Sequence, residues 1–350
     1  MSNSALSEDA FPTEDSTLFL EDYDNATGGP LIYLCEKDDL IKFGSVFVPA
    51  SYYLIFLLSL TGNSLILFIL AKYEKLKTVT NIFILNLVLS DLLFSISLPF
   101  WAIYHSSQWF FGNFMCKMQS WIFFMGFYSS VLFLTLMTLD RYLVIVHALS
   151  ASKARRSRYA AVTCVLVWSV SALASTLDFV FSGTSTDSNG ETLCEETEYS
   201  EESWHRWKQV RYYMHSILFF LIPLLIVVYC YSRIVVKVRR CKLKEKWQVV
   251  KLIFFIVLLF FLCWTPHSII MLLLSRQHVH AVTSCNSSLD YAYYICRSIA
   301  YFHCCVNPFF YTFVGTKFRR HIISLIQMYC TSSQAVTPPT FNIKLSSITN

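Results

Sequence analysis

Seven stretches of the chain are almost wholly apolar, at about 46–71, 79–104, 114–146, 159–182, 210–236, 248–275 and 289–314. A bilayer core of about 30 Å needs roughly 20 mostly apolar residues of α-helix to cross it, and each run supplies them. A spanning β-barrel would alternate apolar and polar positions over stretches of about 10 residues; these runs do not alternate. The pattern predicts an all-α membrane protein. Its parts are a polar tail over 1–45, a seven-transmembrane helix bundle over 46–314, a short cytosolic amphipathic helix 8 over 315–329, and a second tail over 330–350.

Composition agrees with that solvent. The chain is 55% hydrophobic and only 15% charged, whereas soluble domains carry about 25% charge. Residues 1–40 are acidic and lack an apolar core, so no cleavable signal is visible and the first span is expected to direct its own insertion. Lys and Arg mark the cytosolic loops. Twenty of the 28 fall in 72–77, 141–158, 233–251 and 317–344, which places the N-terminus outside the cell and the C-terminus inside. The outer segments hold eighteen acids against six bases. A field of that sign draws in small basic proteins and raises their encounter rate, and it excludes a nucleic-acid partner.

Four cysteines lie outside, Cys35, Cys116, Cys194 and Cys285. Extracellular thiols are oxidised, so the set reads as two disulfides, with three pairings open. Cys116 heads the third span and Cys194 lies mid-loop; their bond would pin that loop over the bundle mouth, leaving Cys35 and Cys285 to tie the tail to the seventh span. Asn25 and Asn286 head glycosylation sequons on the outer side. Tyr23 stands among Glu21, Asp22 and Asp24, a setting that suits sulfation.

Ionisable and amide groups inside a span are costly, so each marks a functional hypothesis. Asn63, Asp91 and Asn307 lie in the first, second and seventh spans, where they can share hydrogen bonds or hold a cation. Pro99, Pro223, Pro266 and Pro308 interrupt the second, fifth, sixth and seventh spans. Each removes a backbone donor and bends its helix, as in a bundle that changes shape.

One set per span, in order, the chain carries Asn63, Asp91, Asp140-Arg141-Tyr142, Trp168, Pro223 with Tyr231, Cys263-Trp264-Thr265-Pro266, and Asn307-Pro308-Phe309-Phe310-Tyr311. The set resembles the rhodopsin-like G-protein-coupled receptors. DRYLVIVHA at 140–148 looks like the chemokine-receptor signature, and the four outer cysteines fit that family. The stretches 80–91, 128–138 and 295–308 are most similar to the XC, or lymphotactin, type. Arg297 is part of that likeness, since many chemokine receptors place an acid there. Ser97-Leu98-Pro99 departs from the family's Thr-x-Pro.

The resemblance implies a mechanism. A basic chemokine would be held by Tyr23, Glu21, Asp22 and Asp24, with its N-terminus in a mouth formed by Trp101, Tyr104, Arg297 and Trp264. Arg141, roughly 37 Å along the helix from Cys116 at 1.5 Å per residue, would pair with Asp140 at rest. Lys246 stands where many relatives place an acid that pins this arginine. Movement of the sixth span about Pro266, with Tyr231 and Tyr311 swinging in, would admit a heterotrimeric G protein. Arrestin and receptor kinases would bind the cytosolic tail. Asp91, Ser130, Asn307 and Trp264 match the family's pocket for an allosteric sodium ion; no other cofactor is implied. The resemblance implies no enzymatic activity. A scavenging receptor would often alter Asp140-Arg141-Tyr142, which is intact. A transporter would show paired repeats, and an intramembrane protease needs a catalytic motif the chain lacks.

Overall fold

The computed structural model describes residues 38–74, 78–147, 153–187, 190–196, 210–211, 213–241, 247–279, 287–313 and, singly or in pairs, 320, 321, 323, 324 and 327. Helices α1 (Asp38–Tyr73), α2 (Val79–Ser106), α3 (Gly112–Val146) and α4 (Lys153–Phe181) come first. A hairpin of β1 (Ser182–Thr186) and β2 (Thr192–Glu196) follows. Then come a π-helical segment over Met214–Leu221 running into α5 (Ile222–Cys241), and α6 (Trp247–Val279). The seventh crossing is in two pieces, α7 (Ser287–Tyr301) and α8 (His303–Phe313).

Among the described residues, six helices are singly long and apolar enough to cross a membrane. The seventh crossing is broken at Phe302, where the Cys305 amide donates to the Phe302 carbonyl in a tightened turn. The bundle is apolar on its outside as well as within. Val162, Val165, Leu166, Val170 and Leu173 of α4 are exposed, as faces directed to lipid must be.

The first helix starts at Asp38, so the expected tail 1–45 ends in helix. Its extra turns pack inward: Leu40 is buried and Phe43 meets the ring of Tyr291 at 5.2 Å. Hydropathy alone does not see this contact, because Asp38, Asp39 and Lys42 dilute the apolar run. The amphipathic helix expected at 315–329 lies mostly outside the described residues. Arg320, His321, Ile323, Ser324 and Gln327 are helical, and His321 stacks on Tyr73 at 5.1 Å with its Nε2 3.5 Å from Glu74.

Local chemistry sets the helix shapes. Thr78 caps α2 by accepting the Asn81 amide at 3.3 Å, which satisfies one of the orphan donors of a helix start. Pro99 cannot donate within α2, and Ser97 Oγ donates to the Phe94 carbonyl at 2.7 Å. Ser97 thus makes a side-chain-to-backbone bond of the kind that bends a helix. Gly126 lets α3 touch α2: a Cβ there would come within 2.7 Å of the Phe94 backbone nitrogen.

Candidate functional site

The polar side chains inside the bundle form a column along its axis. At its centre Asp91, fully buried on α2, accepts hydrogen bonds from Ser130 Oγ of α3 at 3.1 Å and from Asn307 Nδ2 of α8 at 2.6 Å. One carboxylate therefore fastens three helices. Beside it Pro308 has no N–H, which frees the carbonyl four residues back, on Cys304. Asn63 of α1 donates to that carbonyl at 2.9 Å and to Ser59 Oγ at 3.0 Å. Gly62 permits the approach, since a Cβ there would lie 3.0 Å from the Pro308 ring. Separately, Asn86 ties α2 to α4 by accepting from Trp168 Nε1 at 2.8 Å.

Trp264 sits directly above this layer, 2% exposed. Its ring centroid lies 4.1 Å from Phe127, 5.5 Å from His303 and 5.8 Å from His267. The π-helical segment presses His215 flat on Phe127 at 4.8 Å and within 6.1 Å of Trp264. Of the four expected cation-pocket residues, Asp91, Ser130 and Asn307 are brought together. Among the described residues no hydrogen bond joins Trp264 to them. A buried carboxylate, a hydroxyl and an amide supply the oxygen donors that suit a small hard cation; Trp264 supplies none.

At the cytosolic end Arg141 donates to Asp140 at 2.8 Å. It also contacts Thr80 Oγ1 of α2, a partner with no motif of its own in the sequence. Tyr231 and Tyr311 are both buried, Tyr231 edge-on to Phe254 at 5.0 Å. Lys246 lies outside the described residues.

At the outer end Cys116 and Cys194 are bonded. Closing a loop of 78 residues stabilises by about 4.5 kcal/mol on the chain-entropy account. The hairpin so pinned also exchanges backbone bonds with the loop after α2, as Trp109 N donates to the Thr192 carbonyl at 2.8 Å. Tyr104 is buried beneath the hairpin with Trp109, Leu193 and Cys194, and Trp101 packs on the same cluster. Arg297 is buried deeper on α7. Its guanidinium lies 5.0 Å from the Tyr293 ring centroid, 5.6 Å from Tyr294 and 5.7 Å from Tyr52, and Nη2 donates to His105 Nε2 at 3.3 Å. Cation–π contact of this kind offsets part of the cost of burying the charge.

Tyr293 and Tyr294 stand four and three residues before Arg297, so helical spacing alone could have placed them beside it; Tyr52 and His105 come from other helices and carry no such signal. Sequence reasoning also misses Asp178, fully buried near the outer end of α4, 3.5 Å from Arg211. It lies inside the fourth apolar run, four residues from that run's end at about 182, where an acid passes for one at the membrane edge. Tyr23, Glu21, Asp22, Asp24, Asn25, Asn286, Cys35 and Cys285 lie outside the described residues.

Residues 62–311 match the family described as 7 transmembrane receptor, rhodopsin family. The chain is 41% identical over 295 residues to human (Homo sapiens) C-C chemokine receptor type 4, covering 84% of this chain and 81% of that protein. It is 41% identical to the probable C-C chemokine receptor type 3 of Mus musculus over 82% of this chain and 80% of that one. It is 39% identical to C-C chemokine receptor type 3 of Cavia porcellus, again over 82% and 80%.

The prolyl-freed carbonyl generates a prediction. Asn63→Ala should cost about 1–3 kcal/mol by orphaning the Cys304 oxygen. In Pro308→Ala a backbone N–H returns, and the cost of the Asn63 change should shrink. Thermal melting of the four detergent-solubilised proteins closes the cycle; strictly additive losses would contradict the role given to Asn63.

Proposed function

The chain belongs to the chemokine receptors of the rhodopsin family, and on that premise we propose that it binds a small basic chemokine of XC, or lymphotactin, type and signals through heterotrimeric G proteins of the inhibitory class. It is a multi-pass receptor of the plasma membrane, not an enzyme. The observation that carries the G-protein reading is Arg141, held between Asp140 and Thr80 at the cytosolic end of the polar column. The scavenging alternative loses ground for the same reason. The XC assignment rests on Arg297, a buried cation in the mouth, together with ICRSIAYFHCCVNP at 295–308. A C-C ligand is the second reading, favoured by the 41% identity to two C-C receptors.

In this reading capture and activation are separate. Tyr23, Glu21, Asp22 and Asp24 hold the globular body of the chemokine, and Cys35 bonded to Cys285 keeps that tail beside the mouth. The flexible N-terminus enters near Trp101, Tyr104 and Arg297 and bears on Trp264. Trp264 packs against α3 and α8 as well as its own helix, so a displaced indole favours a new setting of α6 about Pro266. Tyr231 and Tyr311 then stabilise the released Arg141, and a G-protein helix occupies the opened groove. Arrestin and receptor kinases act on the tail, where 331–349 is rich in Ser and Thr.

Asp91, Ser130 and Asn307 would hold sodium, which supplies a positive charge to the carboxylate. Their present hydrogen bonds already tie α2, α3 and α8, so an ion preferring that arrangement biases the receptor toward rest by differential affinity.

Two outcomes are expected. In transfected cells tested against a chemokine panel, lymphotactin should lower cyclic AMP and release calcium, and Arg141→Ala should reduce nucleotide exchange to background at unchanged surface level. Activation by a C-C chemokine alone would overturn the XC assignment, and normal exchange in Arg141→Ala the assigned pivot. Replacing a bulky organic cation by sodium at equal ionic strength should weaken binding of labelled agonist chemokine in the native receptor and leave Asp91→Asn indifferent. An equal sodium effect in both would exclude this site.

A further inference from the structure

Activation by way of Trp264 makes no use of the ion pair between Asp178 of α4 and Arg211, which stands just before the π-helical segment. Asp178 is fully buried, and its carboxylate is already engaged inside the bundle. Arg211 lies 3.5 Å from it, and the Tyr128 hydroxyl of α3 and the backbone N–H of Asp178 itself also reach it. Acid, phenol and guanidinium thus join α4, α3 and the outer end of the fifth crossing at one point. Removing one partner of a buried pair leaves the other charge uncompensated, so such a junction is held firmly.

The junction matters because of the helix that follows Arg211. Over Met214–Leu221 the chain is π-helical, and the Ile222 amide donates to the Ile217 carbonyl five residues back. A π turn holds one residue more than an α turn. Its loss would swing the chain before it by about 100°, the rotation of one residue in an α-helix. That swing would carry Arg211 off Asp178 and His215, at the start of the segment, off Phe127. Three contacts hold the present register. Arg211 meets Asp178, Phe219 stacks on Tyr128 with ring centroids 3.9 Å apart, and His215 lies flat on Phe127 at 4.8 Å. Tyr128 serves twice, with its hydroxyl toward Asp178 and its ring against Phe219. Phe127 is in turn 4.1 Å from Trp264.

We propose that Asp178 and Arg211, with Tyr128, form a positioning clasp that selects the π register at the outer end of the fifth crossing and so keeps His215 against Phe127 and Trp264 in the resting receptor. The extra residue gives this segment two discrete registers, and a bistable element turns a small local shift into a defined rearrangement. Opening the clasp favours the α register, withdraws His215 from Phe127 and loosens the packing that holds Trp264. The pair acts through His215 rather than on Trp264 itself. The proposal rests on the reading above that Trp264 governs the setting of α6, and it adds what keeps the support of Trp264 in place.

The test reads register and signalling separately in the full-length receptor. Spectroscopic labels go at two exposed positions, 173 of α4 and 213 just before the π-helical segment. By pulsed electron resonance their distance should change by several ångströms in Asp178→Asn and stay as it is in His215→Ala. In membranes with an inhibitory-class G protein and no chemokine, Asp178→Asn should raise nucleotide exchange about threefold at equal surface level. His215→Ala should raise it as much, and the two together no further. Tyr128→Phe keeps the ring stack on Phe219 and loses only the hydroxyl, so it should move the distance and the exchange in the same directions by less. An unchanged distance or an unraised exchange in Asp178→Asn, or additive rises in the double variant, overturns the proposal. A merely structural Asp178 would lower surface level and exchange together. If Asp178→Asn stays inside the cell, Arg211→Gln and Tyr128→Phe decide by the same two readouts. If no chemokine of the panel drives exchange in the native receptor, the signalling reading fails, and the label distance still decides whether the clasp sets the register.

Discussion

Lipid offers no water to a carbonyl that proline has released, so a break in a spanning helix must be answered from within the protein, by a neighbouring side chain or by a local change of helix winding. The junction around Asp91 is built on that constraint. Pro308 frees the Cys304 carbonyl and Asn63 answers it; one residue before the proline, Asn307 turns to Asp91, which also takes Ser130. Four helices thereby depend on one small set of polar contacts. A contact network of this kind has discrete arrangements rather than a continuum, which is what a two-state receptor requires. The break at Phe302, the bend at Ser97 and the wide turns before Pro223 are placed around it.

Much of this is legible in the amino-acid sequence. Seven apolar runs name the bundle, and the intramembrane Asn63, Asp91 and Asn307 draw attention because burial of such groups is expensive. Cys116 and Cys194 are bonded, as in one of the three pairings that the outer cysteines leave open. What is not legible has a common cause. Hydropathy reports the solvent of a helix, not its ends or its hydrogen-bond register. It therefore misses the start of α1 at Asp38, the π-helical turns that aim His215 at Phe127, and the division of the seventh crossing. The hairpin of Ser182–Thr186 and Thr192–Glu196 is polar and short; it is held by the disulfide and by Trp109, not by a pattern of its own. Asp178 is hidden by its place near the end of the fourth apolar run, and its partner Arg211 is 33 positions further along the chain.

The distribution of charge follows the same division of labour. Outside, eighteen acids form a field that acts at long range and is screened by salt within about 8 Å at physiological strength. Such a field governs how fast a basic partner arrives more than how tightly it stays. Within the mouth Arg297 is buried and surrounded by the rings of Tyr52, Tyr293 and Tyr294. Between mouth and cytosol Trp264 contributes packing and the Asp91 layer hydrogen bonds. Arg141 at the far end is the first group whose partners lie within reach of the cytosol.

The central claim is that ligand contact in the outer mouth is converted, through Trp264 and the Asp91 layer, into displacement of α6 at the cytosolic face. The most direct measurement is the distance between spectroscopic labels at positions 158 of α4 and 251 of α6, by pulsed electron resonance, in the reconstituted receptor with its G protein. Addition of the activating chemokine should lengthen that distance by several ångströms in the native receptor and leave it unchanged when Trp264 is replaced by Ala. A constant distance while nucleotide exchange proceeds, or an undiminished displacement in Trp264→Ala, would contradict the account.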